Sequence, residues 1–354
     1  MARLKLFFGN RPAAAGAQTI TPTGIASGEA FGSDQLNLAL LAVGNLASEE
    51  AFGTAQLNLF VTDGGAIASA LCRRYDGKTA LDAVTAACTL ITVGGYEHAV
   101  GGAFVRNVWA AVGTTNGMRA ADWARCGIGG MGESPYTVFT ELLGQSPTTD
   151  YLCAGLGSEW AVTNGYHKIH ACCQSTHSAV EAALAALASM PPGKTHCDIE
   201  EIMLHTHRPT MSNPHPTTTL AAKFSFDHVL ATALVHGHAR ADAFSAQTLE
   251  DPSISRLRER VILKKFEPAL PRPHDRPARI TLRLNDGKSV TAECLSARGG
   301  PDRPFDEQVI VDKVETIMAV PYPRFASTWK ELLRLDPRVL SRRWNSLLEE
   351  ITAP

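Results

Sequence analysis

Ile280-Thr-Leu-Arg-Leu-Asn-Asp-Gly-Lys-Ser-Val-Thr-Ala-Glu-Cys294 is the stretch that decides the fold class. Ile280, Leu282 and Leu284 alternate with polar residues, which is the pattern of a strand with one buried face. Asn285-Asp286-Gly287 is a tight-turn signal. Val290, Ala292 and Cys294 then carry the alternation back, so the stretch reads as a hairpin. Both flanks are helical, which predicts an α+β lobe inserted after a helical lobe.

Working upstream, Val261 and Leu263 alternate in a further strand, and Ile199 to Arg208 alternates weakly in another. His177 to Met190 is an Ala/Leu helix stopped by Pro191-Pro192-Gly193. Phe224 to His238 is a second helix, with Gly237 near its end. Earlier still, apolar residues recur at helical spacing between Gly65 and Glu97, broken by the turn Tyr75-Asp76-Gly77. An Ala-rich helix from Arg106 to Cys126 ends at Gly127-Ile-Gly-Gly130. Downstream, the pattern is helical again from Asp306, interrupted at Pro321, Pro323 and Pro337. The reading is a mostly helical domain over 61–165 joined by the helices of 305–354, and a smaller α+β domain over 166–304.

Residues 1–60 do not share this pattern. Gly24 to Leu38 recurs as Asn45 to Leu59, a short self-similar unit built on Ala-Ser-x-Glu-Ala-Phe-Gly. Two copies are too few for a free-standing solenoid, which takes about three.

The chain of 354 residues is long enough for about two domains, and its formal charge of -2 excludes partners chosen by bulk charge, nucleic acid and membrane surfaces among them. Eight cysteines show no zinc-like spacing, and His205 and His207 lack a third ligand at a fitting distance, so no metal is expected. No apolar run reaches the roughly 18 residues of a membrane span, and a cytoplasmic location is expected.

Two runs carry candidate chemistry. Tyr166-His-Lys168-Ile-His170-Ala-Cys172-Cys173-Gln-Ser-Thr-His177 leads into a helix start, where unpaired N–H groups favour anions. Ser175 or Thr176 is the expected cap, with Lys168 and His177 beside it; the bland alternative is a surface lysine and a structural histidine. In the second run, Ser225 is placed to cap a helix whose first turn holds Asp227 and His228. Histidine suits proton transfer near neutral pH, although Asp227 can also simply favour the helix dipole.

In this order and spacing, the segments Phe104 to Gly127, Lys168 to Leu184, Pro214 to Gly237 and Leu282 to Gly300 resemble the MmgE/PrpD family. Arg303-Pro304 and, more weakly, Gly65 to Glu97 extend the resemblance to about 250 residues. The family includes 2-methylcitrate dehydratases, cis-aconitate decarboxylases and iminodisuccinate epimerases. The resemblance implies a helical domain beside an α+β domain, usually as a homodimer, with a basic pocket and no metal or organic cofactor. By position, Lys168 matches an active-site lysine and Cys173 a pocket position. Arg106 falls where the family can carry lysine, and His228 where it usually carries tyrosine. An early His/Asp segment of the family has no counterpart, and a further histidine-bearing stretch is missing before Phe104.

These positions imply proton transfer α to a carboxylate of a small polycarboxylate. Arg106, Lys168 and the start of the His177 helix would bind carboxylates, with Cys173 and Ser225 beside them. His228 is the first candidate acid or base and His177 the second. Dehydration, decarboxylation and epimerisation all stay open. So do an inactive remnant of the family and a repeat-led interaction protein. The active reading requires Arg106, Lys168 and His228 to face one cleft; the remnant predicts exposed apolar helix faces.

Overall fold

The computed structural model describes residues 54–91, 97–142 and 161–353, together with Gly144, Gly155 and Ser158. The first repeat copy lies outside these residues. The second runs into them: helix α1, Thr54–Cys72, passes unbroken across residue 60. No helix among the described residues is long and apolar enough to cross a membrane.

The helical lobe is built from α1, α2 (Gly77–Ala87) and α3 (Trp109–Arg125). Asp76 caps α2 by accepting from the Thr79 N–H at 2.8 Å. Helices α1 and α3 cross with backbones almost touching: a Cβ on Gly117 would lie 2.0 Å from the Thr62 carbonyl oxygen, and one on Gly65 2.8 Å from that of Thr114. Small residues are therefore required at this crossing. The expected helix from Arg106 begins as a tight turn of 3-10 helix, Phe104–Val108, before continuing as α3.

The other lobe centres on four strands, β1 (Ile199–Thr206), β2 (Val261–Lys265), β3 (Ala278–Leu284) and β4 (Ser289–Cys294), ordered β2-β1-β3-β4. Strand β1 runs parallel to β2 and antiparallel to β3. The β3–β4 hairpin turns through Asn285–Gly287, with Gly287 at φ +80° and the Gly287 N–H donating to the Leu284 carbonyl. That positive φ explains the glycine. The inward set Ile280, Leu282 and Leu284 is fully buried, as the alternation requires.

Helix α4, His177–Ala188, lies across β3 and β4. Short helix α5, Thr219–Lys223, leads through the Ser225 cap into α6, Phe226–His236, which packs on α4 and on α7, Pro252–Arg258. Phe226, Leu230 and Leu234 close the core; burying each contributes about 1.5–3 kcal/mol. After the hairpin come α8 (Glu307–Met318), α9 (Phe325–Leu333) and α10 (Trp344–Ile351). Helix α8 returns to the α4 entry, where the Lys313 ammonium donates to the Lys168 carbonyl. The lobes meet where Gly102 packs on Thr218 and the Thr218 hydroxyl donates to the Gly102 carbonyl at 3.2 Å.

Candidate functional site

The Cys172–Cys173 turn is the hub of the seam between the lobes. The Cys173 N–H donates to the Lys223 carbonyl at 2.9 Å, tying the α4 entry to the end of α5. The Cys172 carbonyl accepts from the Lys168 ammonium at 3.2 Å and faces Nε2 of His177 at 3.4 Å. Burial pushes the Cys172 thiol up to about 12, against the opposing pull of the Thr176 hydroxyl and of the Lys168 and Lys223 ammoniums. Both Cys172 and Cys173 are buried, so neither thiol suits nucleophilic attack.

The expected cap of α4 does not form. Thr176 has helical backbone angles and no side-chain cap bond, because a 3-10 turn over Gln174–Thr176 precedes it. Its hydroxyl instead turns back to the Cys173 carbonyl at 2.8 Å and the Cys172 sulfur at 3.1 Å. Ser225 does cap its helix, accepting from the His228 N–H at 3.3 Å and donating to the Asn213 carbonyl at 2.7 Å. With Asp227 Oδ2 accepting from the Asn213 N–H, Ser225 pins a loop and is itself buried.

Four cations collect along the seam. The Arg106 guanidinium stands 5.9 Å from the centre of the Phe224 ring, next to Lys223. Lys168 and Lys223 both act on the buried Cys172 thiol, and Lys313 reaches the Lys168 carbonyl. Burial, and then Lys168, hold the Lys313 ammonium below its ordinary pKa. None of the four has a carboxylate partner among the described residues. Nearby Arg298 and Arg303 do have one: both engage Glu181, at 3.3 and 3.7 Å.

His177 is fully buried behind this cluster. Its Nδ1 lies 3.0 Å from the Tyr166 hydroxyl, and the His170 ring meets it edge-on at 5.1 Å. Burial first, then His170 and Lys168, hold its pKa well below the usual histidine range. His170 is likewise pushed down to about 4, chiefly by burial.

His228 is elsewhere. It lies between α6 and α7, fully buried, with Arg258 donating to its Nδ1 at 3.3 Å and the Phe244 ring beside it. Burial, then Arg258, push it down to about 4. No contact among the described residues joins Arg106, Lys168 and His228: position 228 meets Arg258 of α7. Sequence reasoning also passed over Tyr166 and His170, which stood in the same run as Lys168. It passed over Lys223 and Lys313 as well, and nothing local to Lys313 points to the seam.

A cleft of about 520 Å³ opens beside the cluster, lined by Tyr166, Gln174, Ser178, Arg272, Arg276 and Asp302 among others. Of the residues around His177 it shares Tyr166, and it contains none of the unpaired cations. Its Arg276 stands 3.7 Å from the Asp275 carboxylate, whereas the seam cations have no carboxylate partner among the described residues.

Residues 170–331 match the MmgE/PrpD C-terminal domain. The chain is 26% identical over 293 residues to a protein of Aspergillus oryzae named cis-aconitate decarboxylase-like protein oryM, covering 77% of this chain and 58% of the relative. It is 27% identical over 257 residues to a cis-aconitate decarboxylase of Aspergillus terreus, covering 67% of this chain and 52% of the relative. The chain thus spans little more than half the length of these curated relatives.

Proposed function

Since the chain belongs to the MmgE/PrpD family through residues 170–331, we propose that it is a lyase or isomerase that moves a proton α to a carboxylate of a small polycarboxylate. The observation that carries this reading is the seam of four cations without a carboxylate partner among the described residues. Uncompensated like charges at close range are costly, and a di- or tricarboxylate is the ligand that offsets them. Arg106 offers a planar fork, and Lys168, Lys223 and Lys313 offer point charges. Removing an α-proton builds enolate charge on that carboxylate, and fixed cations stabilise it.

His177 replaces His228 as the first candidate proton carrier. It contacts the Cys172 turn directly, while His228 is committed to Arg258. Cys173 and Ser225 take positioning roles, through the Lys223 carbonyl and the loop at Asn213. The proposal uses no metal or organic cofactor and takes the working form to be a homodimer, which sedimentation velocity tests. Names of the relatives favour decarboxylation of a cis-aconitate-like substrate over dehydration or epimerisation.

A second reading, the same fold without turnover, is favoured by one observation. Phe104, Val105, Val108, Val112, Met118 and Trp123 leave apolar surface exposed along the Phe104–Arg125 segment, which a folded lobe usually covers. Incubation in D2O with cis-aconitate, citrate and aspartate, followed by NMR, separates the two. The active reading expects α-deuterium incorporation or loss of carbon dioxide. Folded protein that leaves all three substrates unchanged would leave only the second reading.

A further inference from the structure

The surroundings of His177 contain one more hydrogen-bond acceptor than a neutral imidazole can serve. The Tyr166 hydroxyl donates its single hydrogen to the Arg298 carbonyl at 2.9 Å. It can then only accept from Nδ1, 3.0 Å away, so Nδ1 must carry a hydrogen. On the other side, Nε2 faces the Cys172 carbonyl at 3.4 Å, and a carbonyl can only accept. A neutral ring has one N–H. It satisfies Tyr166 or Cys172, and turning the Tyr166 hydrogen towards Nδ1 strands the Arg298 carbonyl. All three bonds are made together only by the doubly protonated ring.

Charge opposes that state in the unliganded protein. The ammoniums of Lys168 and Lys313 both act against a charge on the ring. Glu181, farther along α4, is already engaged by Arg298 and Arg303. The ring also shares an acceptor with Lys168, whose ammonium occupies the same Cys172 carbonyl at 3.2 Å. A ligand carboxylate bound to Lys168 and Lys313 would offset their charge. It would also draw the Lys168 ammonium towards the ligand and away from the carbonyl that Nε2 faces.

We propose that binding of a carboxylate at Lys168 and Lys313 loads a proton onto His177, which then serves as the acid of the site, with Tyr166 as its positioning residue. This inference rests on the carboxylate-binding reading of the seam. The proton comes from solvent: one hydrogen ion is taken up, one N–H bond forms at the ring, and no other co-reactant is needed. His177 then has a proton to return to a carbanion, and the unliganded site does not.

Succinate is the probe, because it is fully ionised at neutral pH and brings no proton of its own. Titration calorimetry of the full chain in Tris and in HEPES reads proton uptake from the difference in heats. The expected result is uptake approaching one proton per bound succinate, with a histidine ring in 15N spectra changing from one to two N–H groups. That ring signal should be absent from His177→Gln, and uptake should fall in both His177→Gln and Tyr166→Phe. The spectra of the unsubstituted protein decide the matter if either variant misfolds. Succinate bound without uptake, or uptake persisting in folded His177→Gln, overturns the inference and leaves the carboxylate site standing. Absence of succinate binding overturns both.

Discussion

Lys168 is the residue on which carboxylate binding most depends. It is exposed, and among the described residues its ammonium is held by a neutral carbonyl rather than a carboxylate, so a ligand oxygen competes for it without breaking an ion pair. Hydrogen bonds to charged groups contribute about 1.5–3 kcal/mol. Lys168→Ala should therefore weaken succinate binding by about 10- to 100-fold, read as Kd by calorimetry. An unchanged Kd would place the ligand elsewhere. That Lys168 and Cys173 lie close together was legible in the sequence because both stand in one local run. The direction of His228 was not. Helical spacing marks a position as buried, but which neighbour it meets depends on how the Ser225 cap and Arg258 set the helix.

At the scale of elements, the α1–α3 crossing and the Asp63–Cys88 contact between α1 and the end of α2 are the sensitive points. Alanine at Gly117 would drive its methyl into the Thr62 carbonyl at 2.0 Å. Backbone on both sides must then move apart, an overpacking cost of about 1–3 kcal/mol. The expected outcome for Gly117→Ala is a lower Tm for the helical lobe, and an unshifted Tm would refute the close crossing. Asp63 is buried, with the Cys88 thiol 3.4 Å from both its oxygens. Burial raises its pKa to about 7 against the smaller opposing effect of that thiol. The folded state thus holds the proton more tightly than the unfolded chain, whose carboxyl titrates near its ordinary value. Stability from this group is fully present below about pH 4 and is lost as pH rises to about 7. The loss is on the order of a few kcal/mol. Urea midpoints should fall between pH 5 and pH 8 in the natural sequence and fall less in Asp63→Asn. The hairpin was legible because alternation and a glycine turn are local signals, and the structure keeps both. The start of α1 within the second repeat copy was not, because the self-similar unit set residues 45–59 apart from the helix that follows, which tertiary contact with α3 favours.

Across the whole molecule, the cation seam draws on distant parts of the chain. Arg106 comes from the segment entering α3, Lys168 and Lys223 from the α+β lobe, and Lys313 from α8. Lys313 reaches the Lys168 carbonyl across 145 residues of sequence. Bringing these charges together without a counter-ion costs folding energy, so the fold should be least stable when the seam is empty. A dicarboxylate that binds only the folded form stabilises it by about 2.7 kcal/mol at a hundred times its Kd. For a chain of 354 residues that corresponds to roughly 4 °C in Tm. Sodium chloride at the same ionic strength should give less, because it screens the charges without bridging them. Lys313→Ala should raise the Tm of the unliganded protein by removing one repelling charge, and should shrink the succinate-induced shift. A single charge removal that both stabilises the free protein and weakens its response to ligand separates a binding seam from a structural one. If Lys313→Ala lowers the free Tm and leaves the succinate shift intact, α8 is there for packing, and the carboxylate site must be built without it.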